Sequence, residues 1–215
     1  MTHSQPDAAP AVSRRIAWGA LLLSTATAVL SVHAAIEISG SWRGPVRIVQ
    51  LEDYGVRFGH IQDLELWRLV TSQLVHVKQL HTLSDVFCLL WVGAAVEQRV
   101  GFIRLLLLWL VGGSLATLFS TLFVPPPWNL GTGSSQAIMA IAGAGLWLVL
   151  TGVDRSKSLI LPVAFSIALA FAIDLVHVYH PKPGHVAGVL LGLFIASLCR
   201  NAANTPAGSP AITPR

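Results

Sequence analysis

The chain has 215 residues, of which 53% are hydrophobic and only 11% are charged, and its mean hydropathy is +0.66. Soluble domains typically carry about 25% charged residues, so this composition indicates a membrane protein rather than a soluble domain. The net charge of +4 is not concentrated in a cluster of Lys and Arg with interleaved aromatic residues, which argues against nucleic-acid binding. Cys88 and Cys199 each lie in an apolar run and form no CxxC pair, so we expect no disulfide framework. We also expect no metal site and no cofactor.

Six apolar segments follow one another along the chain, and each approaches the roughly 20 residues that a membrane-spanning helix needs. They cover residues 16–36, 80–96, 102–123, 135–153, 158–175 and 185–199. The first is too long for a signal peptide and has no convincing cleavage site. The sequence therefore predicts an all-α, six-helix membrane domain over residues 16–200, with a disordered head over 1–15 and a disordered tail over 201–215.

The distribution of Lys and Arg predicts the orientation of these helices. If the N-terminus is inside, the positions that face the inner side are Arg14, Arg15, Arg99, Arg104, Arg155, Lys157, Arg200 and Arg215. The other positive residues fall mostly in one long outer loop, where the rule is weak. We therefore expect both termini on the inner side, and His81, His185 and the turn before residue 135 toward the outer face.

The long loop over residues 37–79 contains the stretches WRGPVRI, LEDYGVRFG and LELWRLVTSQLVHV, which mix aromatic and branched residues with isolated charges. Because Trp and Arg side chains anchor elements at membrane surfaces, this composition predicts an ordered segment partly sunk in the interface. The alternative is a small extramembrane cap without a functional role.

Ionisable residues within apolar segments are candidates for function, because a charge inside a membrane is costly. His76, His81 and Asp85 occur at spacings of five and four residues, and His81 and Asp85 share one helical face. This face points into the same outer half of the protein as His185.

Two further stretches, LGTGSSQAIMAIAGAG and GHVAGVLLG, each open an apolar segment with small and polar residues. Gly188 and Gly192 in the second stretch form a flat face that lets helices approach closely. If the two helices pack together, a serine at the outer end of one meets His185 at the outer end of the other, where the imidazole can act as general base. The alternatives are that the serines bond only the helix backbone, that the glycines only pack, and that His185 is an ordinary interface residue.

Four blocks then stand in a fixed order: WRLVTSQLVHVKQLHTLSD (67–85), GAAVEQRVG (93–101), GSSQA (133–137) and HVAGVLLG (185–192). Together they resemble the WR…T…H…H…N, GxxxExxxG, GxSx and HxxGxxxG motifs of the rhomboid family of intramembrane serine proteases. The resemblance covers approximately residues 55–200. It implies a bacterial six-helix rhomboid bundle in the inner membrane, with an interfacial loop after the first helix, acting on transmembrane protein substrates within the lipid bilayer.

Carried over position by position, the resemblance implies that Ser135 is the nucleophile and His185 its general base, a dyad that requires no aspartate. The backbone N–H of Ser135 would help to line the oxyanion hole, where preorganised donors stabilise the tetrahedral intermediate. Arg68 would belong to the interfacial loop and Glu97 to a structural hydrogen-bond network. The other residues implied for the oxyanion and substrate-binding region are His81, Asp85, Gly133 and Gln136.

The sequence departs from the family pattern at three positions, with Asp85 for the usual Asn, Gln136 for a common Gly and Met139 for an aromatic residue. An ionised aspartate only accepts hydrogen bonds and would repel an oxyanion, whereas a protonated one could donate. Two functions therefore stay open: a protease, and a catalytically inactive rhomboid-like protein that binds or delivers membrane clients. The presence of both Ser135 and His185 favours the protease, and no inverted repeat supports a transporter.

Overall fold

A computed structural model describes residues 16–44, 46–76, 78–125 and 129–203, with the backbone alone for 200–203. The predicted head over 1–15 and most of the predicted tail lie outside these residues, so the proposed division of the chain stays a prediction. The described residues form helices joined by turns, with one isolated β-bridge and no strand. The predicted all-α class is confirmed.

Six long helices correspond to the six predicted apolar segments. They are α1 (Trp18–Ser39), α2 (Gln79–Val100), α3 (Phe102–Phe123, with a π-helical turn at Leu108–Gly112), α4 (Ser135–Leu150), α5 (Lys157–Val178) and α6 (Pro183–Ala203). Helix α4 ends three residues before the predicted boundary, because the chain turns away at Gly152 with a φ of 74°. Helices α1, α2, α3 and α5 are each long and apolar enough to cross a membrane, so the protein is a multi-pass membrane protein.

Helix α4 occupies the centre of the bundle and contacts α2, α3, α5 and α6. Twelve of its 16 residues are buried. At 1.5 Å per residue it is ~24 Å long, which is less than the ~30 Å thickness of a bilayer core. Its first residue, Ser135, therefore lies below the membrane surface when the other end reaches the opposite surface.

Glycines bring α4 and α6 into direct backbone contact, as the small-residue pattern predicts. A Cβ atom at Gly143 would lie 2.2 Å from the Val189 carbonyl oxygen, and one at Gly192 only 1.9 Å from the Ala140 carbonyl oxygen. Any side chain at these positions would force the helices apart. This close packing fixes the first turn of α6 beside the first turn of α4.

Glu97 on α2 caps the start of α1. Its carboxylate accepts hydrogen bonds from the backbone N–H groups of Gly19 at 3.0 Å and Ala20 at 2.8 Å, which have no partner within their own helix. Arg99 pairs instead with Asp154 in the α4–α5 turn. Glu97 is thus a buried structural group that joins α1 to α2, and it forms no surface pair with Arg99.

We expect Glu97→Gln to lower the free energy of unfolding by about 1–3 kcal/mol, because an amide presents one oxygen where two backbone donors need acceptors. Thermal unfolding in detergent measures the change. A melting temperature equal to that of the wild-type protein would contradict this role for Glu97.

The loop between α1 and α2 is ordered, as its composition predicts, and contains the short helical segments Ile48–Leu51, Phe58–Gln62, Arg68–Thr71 and Ser72–Leu74. The guanidinium of Arg68 donates to the backbone oxygens of Glu52, Asp53 and Gly55. These hydrogen bonds join the second half of the loop to its first half. The Tyr54 hydroxyl donates to Glu37 at the end of α1, and this hydrogen bond raises the pKa of Tyr54 to about 12.

An antiparallel bridge ties this loop to the segment before Ser135. The N–H of Val56 donates to the Gly131 carbonyl at 3.1 Å, and the N–H of Gly131 donates to the Val56 carbonyl at 2.8 Å. The loop therefore supports the backbone that leads into the first turn of α4.

Candidate active site

The turn that precedes α4 needs glycine at its centre. Gly133 has a φ of 94°, a conformation that residues with side chains rarely adopt, and its N–H donates to the Ser72 carbonyl at 2.9 Å. A Cβ atom on Gly133 would also lie 3.1 Å from the His76 ring. The turn leaves Ser135 as the first residue of α4, where backbone N–H groups have no partner within the helix.

Ser135 and His185 meet at the N-terminal ends of α4 and α6. Ser135 Oγ lies 2.9 Å from His185 Nε2, within hydrogen-bond distance, and both residues are buried. The distance suits proton transfer from a hydroxyl to a general base. The pair that the sequence predicts is therefore brought together by the glycine packing of the two helices.

Asp174, near the end of α5, contacts the other nitrogen of the same imidazole. Its Oδ2 atom lies 2.7 Å from His185 Nδ1 and accepts the backbone N–H of Lys182 at 2.9 Å. The ammonium of Lys182 lies 3.5 Å from Asp174 Oδ1. The sequence interpretation gave Asp174 no role. An acidic residue inside an otherwise apolar helix was the signal that could have identified it.

His81 and Asp85 on α2 face the same pair across a small cavity of about 20 Å³, enough for a water molecule. The cavity lies between α2 and α5. Its lining includes His81, Asp85, Cys88, Ser135, Ser166, Ile173, Lys182 and His185. Four of the six site residues named from the sequence thus line one cavity.

The carboxylate of Asp85 is already engaged by other side chains. Asp85 Oδ2 lies 2.9 Å from His76 Nε2 and accepts the Ser134 hydroxyl at 3.3 Å, while Asp85 Oδ1 lies 3.5 Å from His81 Nε2. The spacing of His76 in the sequence does not by itself indicate that it is the partner of Asp85. Ser134 is fully buried and bonded to Asp85, and its hydroxyl makes no hydrogen bond to His185.

Gln136 follows the serine in α4 and contacts its hydroxyl. Its Oε1 atom is 3.2 Å from Ser135 Oγ and can accept the same proton that His185 Nε2 accepts. The side-chain amide of Gln136 thus presents its acceptor oxygen to the serine. A role in the oxyanion hole needs the donor Nε2 instead, and a rotation of the amide by about 180° would bring Nε2 to this position. Among the described residues, no three His, Cys, Asp or Glu side chains converge as metal ligands.

Residues 63–202 match the family model of the Rhomboid domain, and the chain belongs to the rhomboid family. It is 32% identical over 135 residues to RHOMBOID-like protein 6, mitochondrial, of Arabidopsis thaliana, covering 61% of this chain and 43% of that protein. RHOMBOID-like protein 1 of the same plant is 32% identical over 134 residues, covering 60% of this chain and 34% of that protein. Rhomboid protease GluP of Bacillus subtilis is 29% identical over 138 residues, covering 62% and 26%.

The matched region spans less than half the length of each of these relatives. The family expected from the four sequence blocks is confirmed.

Proposed function

We propose that this protein is an intramembrane serine protease that hydrolyses a peptide bond in or near the transmembrane segment of another membrane protein. The observation that carries the proposal is the distance of 2.9 Å between Ser135 Oγ and His185 Nε2 at the buried N-terminal ends of α4 and α6. A hydroxyl is a weak nucleophile, and an adjacent base is the usual means of activating it. Membership of a family that includes a named rhomboid protease adds support.

The reaction begins when Ser135 Oγ attacks the carbonyl carbon of the scissile peptide while its proton passes to His185 Nε2. The tetrahedral intermediate collapses with cleavage of the C–N bond, and His185 returns the proton to the leaving amine. A water molecule then attacks the acyl-enzyme, again with His185 as base, and releases the acid and the free serine. Water reaches the serine through the small cavity that His81 and Lys182 line.

The oxyanion of each intermediate needs donors near Ser135. The backbone N–H of Ser135 and the imidazole of His81 are the proposed donors, and Gly133 lets the backbone take the path that exposes the N–H. Gln136 adds a third donor if its amide turns over during catalysis. Asp85 is not a proposed donor, because its carboxylate is engaged by His76 and Ser134 and an ionised carboxylate only accepts hydrogen bonds. Its negative charge would repel the oxyanion.

A substrate helix reaches this site from the lipid between α2 and α5. The cavity lies between these two helices, with Cys88 of α2 and Ile173 of α5 among its walls. Below the cavity, Phe87 and Trp91 of α2 contact Phe165 of α5 with ring centroids 5.4–5.9 Å apart. Contacts between exposed aromatic rings are easier to open than a packed glycine interface such as that between α4 and α6.

We expect Asp85→Asn to raise kcat about tenfold, because the amide removes a negative charge beside the oxyanion and can donate to it. A well-placed oxyanion donor contributes about 2.7–4 kcal/mol to the stabilisation of the transition state. A tenfold gain in kcat needs less than this, so it can be reached even if part of the contribution is lost when the contacts of residue 85 readjust. The Asn oxygen can still accept from His76, whereas Asp85→Leu cannot and serves as the control that loses stability. A steady-state cleavage assay from pH 6 to 9 measures the effect, and a lower kcat for Asp85→Asn would contradict it.

A fluorophosphonate probe tests the proposed function directly in membranes. Such probes phosphonylate only an activated serine, so an adduct on Ser135 that disappears in His185→Ala supports a protease. Peptide mass spectrometry distinguishes Ser135 from its neighbour Ser134. A folded protein that takes up no probe would favour the inactive relative that binds membrane clients.

A further inference from the structure

We propose that Asp174 is a positioning residue for His185, so that this protein works through a Ser–His–Asp relay and not through a Ser–His pair alone. The inference rests on the proposed function. It assigns to the last turns of α5 a part in the chemistry that the sequence motifs place on α2, α4 and α6.

The three side chains form a continuous chain of hydrogen bonds, in which the proton of Ser135 passes to His185 and goes no further. Ser135 Oγ, His185 Nε2, His185 Nδ1 and Asp174 Oδ2 follow one another at 2.9 Å and 2.7 Å on the two sides of a single imidazole ring. The Asp174 side chain is fully buried and that of His185 is only 3% exposed. Bulk solvent therefore does not compete for the hydrogen bond between Asp174 and His185.

The position of Asp174 has no explanation within α5 itself. A carboxylate near the C-terminal end of a helix opposes the helix dipole, and burial of an unpaired charge in an apolar helix is costly. The hydrogen-bond partners of Asp174 all lie beyond α5: the backbone N–H of Lys182 at 2.9 Å and the ring of His185. The side chain is thus placed to serve the turn and the histidine that follow.

Lys182 provides a positive charge beside the other oxygen of the carboxylate. Its ammonium is 3.5 Å from Asp174 Oδ1, an oxygen that accepts no hydrogen bond from any described residue. The backbone N–H of Lys182 and the His185 ring share the other oxygen, Oδ2. One charge and two donors therefore fix the plane of the carboxylate relative to the imidazole.

An ionised carboxylate only accepts hydrogen bonds, which determines the tautomer of the histidine. His185 Nδ1 must carry the proton that Asp174 accepts, and Nε2 is left with a lone pair directed at the Ser135 hydroxyl. When Ser135 gives up its proton, the ring becomes positively charged and the adjacent carboxylate stabilises it. Asp174 thus acts through His185 and touches no substrate atom.

The test compares Asp174→Asn with the wild-type protein in the same membrane mimetic. Asparagine has the same shape but can hold His185 in the wrong tautomer, so we expect kcat to fall roughly 10²- to 10⁴-fold with KM changed less than threefold. We expect Asp174→Glu to recover part of the rate. Asp154→Asn is the matched control. Asp154 is also an ion-paired aspartate, but it lies in the turn before α5 and contacts Arg99, far from His185.

A purely structural role for Asp174 predicts a different result. If the carboxylate only anchors the turn before α6, Asp174→Asn lowers the melting temperature while kcat per folded molecule stays within threefold of wild type. That outcome would overturn the proposal. Lys182→Met keeps the backbone N–H and removes the ammonium, and we expect it to lower kcat less than Asp174→Asn does.

A spectroscopic measurement separates this inference from the proposed function. In protein labelled with ¹⁵N-histidine, a Nδ1–H proton bonded to a carboxylate resonates far downfield, and we expect one such signal that Asp174→Asn removes. The signal does not depend on turnover. A protein that shows the downfield signal but takes up no fluorophosphonate would contradict the proposed protease function and leave the Asp174–His185 hydrogen bond supported. An active protein without the signal would contradict the role proposed for Asp174.

Discussion

We expect Ser135→Ala to remove all measurable cleavage of a model transmembrane substrate while the protein stays folded. The expected loss is on the order of 10⁶-fold in kcat, the scale on which a serine hydrolase loses its nucleophile. Folding is preserved because the Ser135 hydroxyl hydrogen-bonds only within the site, to His185 and Gln136. Cleavage of a reconstituted substrate in liposomes, followed by gel electrophoresis, measures the effect.

Ser134→Ala is the matched control for this experiment. The Ser134 hydroxyl donates to Asp85 and is fully buried, so its removal costs a hydrogen bond of about 1 kcal/mol and reduces the rate only a few-fold. An inactive Ser134→Ala protein together with an active Ser135→Ala protein would show that the motif has been aligned one residue out of register.

Gly192→Leu is expected to prevent stable folding. A Cβ atom at this position would lie 1.9 Å from the Ala140 carbonyl oxygen, and the backbone of α4 cannot yield without separating from α6. Overpacking of a core costs about 1–3 kcal/mol when side chains can adjust, and here the obstacle is backbone, so we expect the cost to reach or exceed ~3 kcal/mol. Fluorescence-detected gel filtration and thermal unfolding in detergent measure the loss.

Gly59→Ala provides the matched control for a glycine outside the bundle. A Cβ atom there would meet no atom within 4 Å, and we expect a change of no more than about 0.5 kcal/mol. A Gly192→Leu protein that melts and cleaves like wild type would mean that α4 and α6 do not pack as described.

The sequence predicted the helices and the central pair because both leave strong local patterns. Long apolar runs define the six helices, and glycines spaced four residues apart on the last segment mark the face that packs on α4. Ser135 and His185 each open a helix in a recognisable motif. Their contact then follows from the packing of those two helices alone.

Contacts across turns could not be predicted in the same way. Asp174 reaches His185 only because the chain reverses between α5 and α6, and nothing in the spacing of 11 residues specifies that turn. The engagement of Asp85 by His76 likewise depends on a loop that brings residue 76 back over α2. Gln136 directs the oxygen of its amide toward the serine, and not the nitrogen. This orientation depends on a single torsion angle, which no sequence pattern encodes.

The short central helix α4 has a consequence for the surrounding lipid. Lipid chains contact the outer helices, and α1, α2, α3 and α5 each contain 22 residues, ~33 Å of helix that matches a bilayer core. Helix α4 contacts α2, α3 and α5 in the interior of the bundle and is ~24 Å long. The apolar perimeter therefore matches the thickness of a bilayer core although the central helix is shorter, and we expect the bilayer around the protein not to thin.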